Sequence, residues 1–334
     1  MVETVKNRSE LIFLYDIKDG NPNVDPMDQN KPRIDEETGI NIVTDVRLKR
    51  TIRDYLYDFK GQEILIRTIS LKEGSLAIQD AKTRALDFRD ENLKKAKFKE
   101  QLDNIEKNIL EQCIDVRLFG ATLPIEIGKD SSSFTRTGPV QFNMGRSLHQ
   151  VEIKHIKGTG AFASSTAKEG GKGKDKLQQT FRDEFILNYS LIGFHGLINE
   201  NAAKQTLLTE ADVQLLLEGM WNGTKSLISR TKVGQMPRLL LQVVYSEANY
   251  HIGDLIKGIK LVANGEELAI RGPEDYILDI TQLLAQLAKN KEKIKTIYYL
   301  IDEQISFQKE GKKCDFVSAL KEAIKKEPEE ITFS

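Results

Sequence analysis

The order of its strongly patterned segments is the feature that most restricts the fold of this 334-residue chain. Short segments rich in branched and aromatic residues are typical of buried strands, and segments with apolar residues along one helical face are typical of amphipathic helices. They follow one another as strand, helix, strand, strand, helix, strand, which is the order of the ferredoxin-like fold used by RNA-recognition domains. The predicted strands span residues 10–17, 139–144, 148–156, 185–198 and 237–245. The first predicted helix spans 45–59 and is capped by Thr44 or Asp45. The second spans 210–220 and is capped by Thr209.

The chain is therefore predicted to be an α+β protein with a ferredoxin-like, RRM-like core (βαββαβ) and two large insertions. The first insertion covers residues 60–137. The second lies within 157–180 and is marked by a change in composition, since the twenty residues from Lys157 to Lys176 hold five glycines and five lysines. A stretch so poor in apolar side chains cannot build a core, so it is predicted to be a mobile loop or a projecting arm.

The bulk composition is that of an ordinary water-soluble protein. Hydrophobic residues make up 40% of the chain, and apolar runs such as 239–245 are too short to cross a bilayer. The polar N-terminal segment does not resemble a signal peptide, and Cys113 and Cys314 lack metal-site spacing, so a cytoplasmic setting without a membrane partner is expected. The net charge of −1 leaves nucleic-acid binding open, because the distribution of the 49 basic and 50 acidic residues over the surface decides it.

Patterns that would indicate an enzyme are weak. The four histidines are scattered, and the alternating acids and amides at 19–25 have Val24 where a calcium loop needs glycine. The sequence has no P-loop and no Gly-x-Ser-x-Gly elbow. Asp25, Asp28 and Asp35 could gather around a metal ion and cut a phosphodiester, although aspartates beside prolines are more often turn residues. We therefore expect a protein that is not an enzyme and needs no cofactor, with a metal-dependent endoribonuclease as the alternative.

Basic residues crowd the start of the first predicted helix. A helix N-terminus carries partial positive charge, so cations there are disfavoured by about 0.3–1 kcal/mol each. Arg47, Lys49 and Arg50 nevertheless occupy the first turns, whereas Asp54 and Asp58 come later. This arrangement is unfavourable for stability and suits an anion, because free backbone N–H groups add to the three cations. We interpret it as a phosphate site, the alternative being a solvated helix face.

Three further basic clusters are spread along the chain. The Gly/Lys stretch could follow a nucleic-acid backbone without reading bases, or could be a flexible linker. The segment leading into the last predicted strand carries Lys225, Arg230 and Lys232. Arg136 and Arg146, with polar amides between them, form the last cluster. Four such clusters on an RNA-recognition-like topology favour nucleic-acid binding over other functions.

Several blocks of the sequence resemble a known family. NRSELIFLYDIKDGNPNVDP and the following KPRIDEETGINIVTDVRLKRTIRDYL are similar to the N-terminal signature of the type I-B CRISPR (Cascade) backbone subunit, a guide-RNA-binding member of the RAMP superfamily. DVRLFGATLP, TGPVQFNMGRS and SRTKVGQMPRLLL resemble later blocks of that family. The resemblance covers residues 8–60, 113–165 and 180–246, and the chain departs from the family's NPNGDP at Val24.

The resemblance implies a hand-shaped protein. Its palm is expected at 1–59 and 138–246, its finger insertion at 60–137, its thumb at 157–180, and a C-terminal extension at 247–334 that packs on the palm. Copies of the chain are expected to lie side by side along one guide RNA (crRNA), with other Cascade subunits, and to present it to a target DNA strand in antiviral defence. Each thumb is expected to press between guide bases, and cutting is left to a recruited helicase-nuclease.

A guide-coating subunit has to accept any spacer sequence, so it should hold phosphates and leave sequence reading to base pairing. Charged and polar side chains suffice for that task. The residues predicted to contact RNA are Thr44, Arg47, Lys49, Arg50, Arg53, Arg136, Gln141, Asn143, Arg146, Ser147, Lys157, Phe162, Lys168, Lys172, Lys174, Arg230 and Lys232. A generic RNA-binding scaffold outside CRISPR is the remaining alternative.

Overall fold

The structure is a computed structural model that describes residues 3–70, 77–163 and 179–333. Within these ranges the chain forms eight α-helices and 18 strands, which confirms the predicted α+β class. The strands are β1 (Ser9–Gly20), β2 (Val24–Asp25), β3 (Lys31–Pro32), β4 (Ile34–Asp35), β5 (Ile40–Val43), β6 (Gly120–Ile127), β7 (Asp130–Thr137), β8 (Val140–Phe142), β9 (Gly145–Gln150), β10 (Ile153–Ala163), β11 (Gln179–Ile198), β12 (Met236–Tyr245), β13 (Lys260–Ala263), β14 (Tyr276–Asp279), β15 (Ile294–Ile301), β16 (Phe307–Lys309), β17 (Lys312–Cys314) and β18 (Glu329–Glu330). The helices are α1 (Asp45–Lys60), α2 (Ala81–Leu86), α3 (Phe98–Gln112), α4 (Ile114–Phe119), α5 (Glu200–Thr206), α6 (Glu210–Lys225), α7 (Thr281–Lys289) and α8 (Phe316–Ile324). In the part of the chain that the structure describes, no helix is long and apolar enough to cross a membrane.

One ten-stranded sheet forms the centre of the molecule. Its strands run in the order β18–β15–β12–β1–β11–β9–β5–β4, with β8 and β10 also paired to β11. Strand β1 is antiparallel to both neighbours, and Phe13 lies opposite Phe194 of β11 and Leu240 of β12. The nearly continuous apolar run of β1 follows from burial on both faces, because a strand covered on both sides has no polar face to alternate with.

Helices α1 and α6 cover one face of this sheet. Leu11, Phe13 and Tyr15 share the core beneath these helices, because alternate residues of a strand point to the same face. The two helices pack closely, since a Cβ atom on Gly219 of α6 would lie 3.0 Å from Cγ2 of Ile52 in α1. This packing holds α1 in place and fixes the direction of its remaining face, which carries Arg47 and Arg50.

The C-terminal third covers the opposite face of the sheet. Strands β13, β14, β16 and β17 form a second sheet, which together with α7 and α8 buries Ile12, Leu14 and Leu241. Arg238 of β12 strengthens this junction, because its guanidinium lies 2.8 Å from Asp16 of β1 and 2.7 Å from Asp302. The central sheet is therefore enclosed between helices and a small α/β unit.

Residues 60–137 fold around a small core of their own. Helices α2 and α3 pack against the β6–β7 hairpin, and Ile105, Ile109 and Phe134 are fully buried there. The same segment also contributes Ile114, Leu118 and Phe119 to the core beneath α1 and α6.

The β10–β11 hairpin is longer than the predicted strands. Strand β11 begins at Gln179, and the predicted strand at 148–156 is divided between β9 and β10. Strand β10 continues through Lys157 to Gly158, which is paired with Arg182. The start of the predicted loop is therefore strand, because backbone pairing with β11 does not depend on apolar side chains. The part of that loop at 164–178 lies outside the described residues.

Candidate nucleic-acid interface

The centre of the sheet is closed to nucleic acid. RNA-recognition domains stack bases on aromatic side chains of an open sheet face. Here Phe13, Tyr15 and Phe194 all belong to the core beneath α1 and α6 and are only 0%, 4% and 1% exposed. A nucleic acid that bound this chain would therefore contact the helices, loops and hairpins around the sheet.

The start of α1 is an occupied cap. The Thr44 hydroxyl accepts a hydrogen bond from the Arg47 N–H at 3.3 Å, and it donates one to Asn23 Oδ1 at 2.9 Å. The Thr44 N–H also donates to Asn23 Oδ1 at 2.9 Å. Thr44, one of the two residues predicted to cap the helix, is thus its N-cap, and its hydroxyl is engaged in joining the loop after β1 to the helix.

Two of the predicted helix-start cations have acidic partners on the helix itself. Lys49 lies 3.1 Å from Asp45, and its ammonium also donates to Gln141 Oε1 at 2.9 Å. Arg50 donates to Asp54 at 2.6 Å, although both of those side chains remain about half exposed. Pairs spaced four residues apart on a helix surface offset much of the cation's charge, so Lys49 and Arg50 are weaker anion ligands than the sequence indicates.

Arg53 is a structural residue in this fold. Its guanidinium donates to Asp115 at 2.9 Å, and the Asp115 side chain is fully buried. The same carboxylate accepts hydrogen bonds from the backbone N–H groups of Leu65 and Ile66 at 2.8 and 3.2 Å. Arg53 therefore fastens the 60–137 unit to α1 and points away from solvent.

Arg47 and Lys232 are different from their neighbours. Both are half-buried and line the same groove, and within the described ranges neither has a carboxylate oxygen within 4 Å. Burial lowers the pKa of the Lys232 ammonium, and the charge of nearby Arg47 lowers it further. Burial also lowers the pKa of Arg47, against the opposing effect of Tyr15 and Asp54. Two desolvated cations that repel each other form a site that an anion would stabilise.

These two cations lie in an open groove of about 700 Å³. One wall is the solvent side of α1, and the other is the end of α6 with the loop that follows it. The lining includes Arg47, Arg50, Thr51, Asp54, Tyr57, Asp58, Phe59, Arg67, Thr68, Ser226, Ile228, Ser229 and Lys232. We call this feature the α1 groove; it combines cations, hydroxyl groups and exposed aromatic rings.

The sequence indicated only part of this groove. Arg47 and Arg50 belong to the predicted helix cluster and Lys232 to a separate cluster, and the structure brings them together. Tyr57, Phe59 and Arg67 were not predicted. The helical spacing of Tyr57 and Arg50, seven residues apart on one face, was the available signal.

The remaining predicted residues are dispersed. Arg136 pairs with Glu106 at 3.0 Å within the 60–137 unit. Gln141 and Asn143 are exposed near β8, and Arg146 lies 3.7 Å from Asp35. Ser147 is buried, donates to the His149 carbonyl at 2.7 Å and accepts from the Asn41 N–H at 2.9 Å, so it serves the sheet.

The last group of predicted residues lies at the hairpin. Lys157 is exposed on β10, and Arg230 lies 3.3 Å from Glu184 at the base of the hairpin. Phe162 belongs to β10. Lys168, Lys172 and Lys174 lie outside the described residues.

The aspartates considered for a nuclease are engaged in ion pairs. Asp25, Asp28 and Asp35 each lie near a different cation. Their partners are Arg33 at 2.8 Å, Lys31 at 2.8 Å and Arg146 at 3.7 Å. Asp25 and Asp35 also accept hydrogen bonds from backbone N–H groups two residues ahead, as turn aspartates do. Among the described residues no group of three or more His, Cys, Asp or Glu side chains is placed to hold a metal ion.

The fold is that of a class of α+β proteins found in CRISPR RNA-guided surveillance complexes. The structure matches a chain of such a complex, described as pre-nicking, with a TM-score of 0.51 and 11% identity, covering 89% of this chain and 92% of that chain. The family described as CRISPR-associated protein Cas7 matches residues 7–281. A relative of that name from Haloferax volcanii is 34% identical over 315 residues, covering 90% of this chain and 89% of the relative. The chain therefore belongs to the Cas7 family of CRISPR-associated proteins, which confirms the family resemblance of its sequence blocks.

Proposed function

We propose that this chain is the repeated backbone subunit of a type I-B CRISPR surveillance complex. Copies would lie side by side along one guide RNA and hold it for pairing with target DNA. The observation that carries the proposal is the pair of half-buried cations Arg47 and Lys232 in the α1 groove, neither of which has a direct ion pair among the described residues. A phosphate between these side chains would relieve their repulsion and replace the water that burial has removed.

The chemistry of the groove suits a sequence-blind contact. Cations and hydroxyl groups bind phosphate oxygens, which are the same for every nucleotide. Ser226 and Ser229 supply hydroxyl groups in the same groove as the two cations. Such a site accepts any guide and leaves recognition of the target to base pairing.

The strand order supports a ferredoxin-like palm. If β1, β9, β11 and β12 are the four strands of βαββαβ, the sheet places the fourth beside the first, followed by the third and second, with α1 and α6 on one face. We infer that residues 1–59 and 138–246 form this palm and that 60–137 is the finger. The β10–β11 hairpin would be the base of the thumb, with the predicted residues at 157–180.

The partners follow from this role. We infer contacts with the guide RNA, the target DNA strand, neighbouring copies of the chain and other Cascade subunits, all in the cytoplasm. A recruited helicase-nuclease would do the cutting, and the chain itself would have no catalytic function. The ion-paired aspartates of the loop after β1 support this, because their charges are already satisfied by Arg33, Lys31 and Arg146.

The test is RNA titration of an Arg47→Gln/Lys232→Gln variant over a range of salt concentrations. Each lost single-strand phosphate contact lowers the slope of log affinity against log salt by about 0.7, so two contacts lower it by about 1.4. The expected result is weaker binding to several unrelated RNA sequences alike, with a smaller slope and an unchanged thermal midpoint.

A matched control is Lys257→Gln/Lys321→Gln, which also removes two cations. Lys257 and Lys321 are exposed in the C-terminal third, paired with Asp254 and Glu327. This control should keep the wild-type slope. If both double variants lose affinity equally, the α1 groove is not the phosphate site, and only net charge matters.

A further inference from the structure

The end of the α1 groove farther from Arg47 exposes two aromatic rings. Tyr57 is 43% exposed and Phe59 is 63% exposed, and both lie near the C-terminal end of α1. Isolated exposed apolar side chains are ordinary on a protein surface. Two aromatic rings in one groove with several cations are a more specific combination, which is the one that single-stranded nucleic-acid sites use.

Both rings are held in position by neighbours. Phe59 stacks on Tyr55 with ring centroids 5.1 Å apart and planes 20° apart, and the Tyr55 hydroxyl donates to Glu218 at 2.8 Å. The guanidinium of Arg67 lies 4.5 Å from the centre of the Tyr57 ring. Each ring therefore has one supporting partner and keeps exposed surface. Because residues two apart on a helix do not face each other, the two rings line the groove from its two sides, and each is a preorganised stacking surface.

Arg67 adds an unsatisfied donor at this end. Its Nε atom is buried and has no hydrogen-bond partner in the described part of the chain. Its terminal nitrogen lies 3.5 Å from Glu63, at the limit of a direct hydrogen bond. Arginine beside an aromatic ring is suited to the polar edge of a base, because the guanidinium can stack and donate at the same time.

The dimensions of the groove fit a short stretch of single strand. Arg47 and Tyr57 are ten residues apart on α1, which corresponds to a rise of about 15 Å at 1.5 Å per residue. A strand can thus keep a phosphate at the cationic end while a base reaches the rings. The groove volume of about 700 Å³ lies within the usual range for bound organic ligands.

We propose that Tyr57, Phe59 and Arg67 form a subsite that stacks an unpaired base of the single-stranded RNA bound at the cationic end of the same groove. This subsite rests on the proposed function and adds a base contact to it. Because every base has a π-face, the stacking contributes affinity without selecting a sequence.

The charges of the groove favour RNA over a second protein surface. Its lining carries four cations, Arg47, Arg50, Arg67 and Lys232, against the two carboxylates Asp54 and Asp58. Arg67 lies beside the Tyr57 ring, and the other three cations line the rest of the groove. Single-stranded RNA matches this arrangement, because its phosphates suit the cations and its bases suit the aromatic rings.

The experiment compares two short RNA strands of equal length, one of uridines and one whose sugars carry no base, binding to the full chain. Short strands bind one copy at a time, so assembly does not enter. Wild type should prefer the base-bearing strand by about tenfold, as expected for one stacked base. Tyr57→Ala/Phe59→Ala should lose this preference and keep the salt slope, while Tyr57→Phe/Phe59→Tyr should retain both.

The Arg47→Gln/Lys232→Gln variant separates this proposal from the proposed function. It should weaken both strands and lower the salt slope while keeping the preference for bases. If wild type binds the two strands equally but with a salt slope that this variant lowers, the base subsite is wrong and the phosphate site stands. If the slope does not depend on Arg47 and Lys232, the proposed function fails at this groove.

Two further results would overturn the base subsite. The first is an alanine variant that folds, by its thermal midpoint, and still prefers the base-bearing strand. The second is an alanine variant that changes the sedimentation of the RNA-free chain without altering the base preference, since the groove would then be a contact between copies. Single Tyr57→Ala and Phe59→Ala variants replace the double variant if its thermal midpoint falls.

Discussion

At the residue scale, similar side chains on one helix have different environments. Arg47 and Arg53 are both on α1, six positions apart. Arg53 is neutralised by the buried Asp115, whereas Arg47 faces the α1 groove beside another cation, Lys232. A buried ion pair supports the fold only while both partners are present. The phosphate site and the structural pair therefore respond differently to substitution.

Removing Asp115 should destabilise the protein without changing its RNA contacts. Asp115→Ala leaves Arg53 buried without a partner and frees the N–H groups of Leu65 and Ile66, so the free energy of unfolding should fall by about 3–5 kcal/mol. Urea denaturation measures this loss. The folded fraction should bind RNA with the wild-type salt slope.

The double variant Arg53→Ala/Asp115→Ala is the control. It removes both charges, so part of the lost stability should return, although the N–H groups of Leu65 and Ile66 remain without the carboxylate. If the double variant loses as much unfolding free energy as the Arg53→Ala and Asp115→Ala single variants lose together, the two side chains are not coupled.

At the element scale, strand β1 connects the central sheet to the C-terminal third through one carboxylate. Glu10 is fully buried, lies 2.8 Å from Nε2 of His195, and accepts hydrogen bonds from the Tyr245 hydroxyl. It also accepts hydrogen bonds from the N–H groups of Ile252 and Gly253 at 2.8 and 3.0 Å. These bonds fix the chain where it leaves β12 for the C-terminal unit.

The Glu10 carboxylate should make stability depend on acid pH. Burial raises its pKa, but the hydrogen bonds from His195, Tyr245 and Gly253 outweigh burial, so the pKa lies below its ordinary value of 4.5. A carboxylate with a lowered pKa stabilises the fold above pH 4.5, and this contribution is lost as pH falls through the folded-state pKa. The free energy of unfolding of wild type should therefore fall more steeply below that pH than the free energy of Glu10→Gln.

Urea denaturation at a series of pH values measures this difference. Glu303→Gln, at an exposed position, is the control and should follow the wild-type curve. Parallel curves for wild type and Glu10→Gln would contradict the assignment.

At the scale of the whole molecule, the candidate functional surfaces lie around the sheet and not on it. Helices cover one face, the C-terminal unit covers the other, and the α1 groove, the β10–β11 hairpin and the loop after β1 remain at the periphery. Such a molecule can offer separate surfaces to a guide strand, to a target strand and to neighbouring copies. The loop after β1 also carries Asp25 and Asp28, two of the aspartates of the nuclease alternative.

The chain assembled on a guide RNA should not cut target RNA in the presence of magnesium. Asp25 and Asp28 are each 2.8 Å from a cation, so binding a metal ion would first require breaking an ion pair. Gel analysis of labelled target RNA over time measures cleavage. Intact target with wild type, and equally with Asp25→Ala and Asp28→Ala, is the expected result. Cleavage that disappears in either variant would establish the nuclease alternative.

The sequence by itself determined the elements whose signals are local. The caps at Thr44 and Thr209 are where they were predicted, and Thr209 forms a capping box with Asp212. The apolar patterns likewise located α1, α6 and the central strands, because helical and strand periodicity depend on residues only a few positions apart. The sequence did not predict the far ends of β10 and β11. The Gly/Lys-rich sequence there has no strand pattern, and the strands form because their backbones pair with each other.

Only the tertiary structure decided which basic residues are free. Arg53 is neutralised by a carboxylate 62 positions away, and Lys49 bonds to an amide 92 positions away, so sequence could not reveal either partner. Arg47 and Lys232 were assigned to separate clusters, and folding places them in one groove with Tyr57 and Phe59. Periodicity is fixed by near neighbours along the chain, whereas charge compensation and exposure are fixed by near neighbours in space.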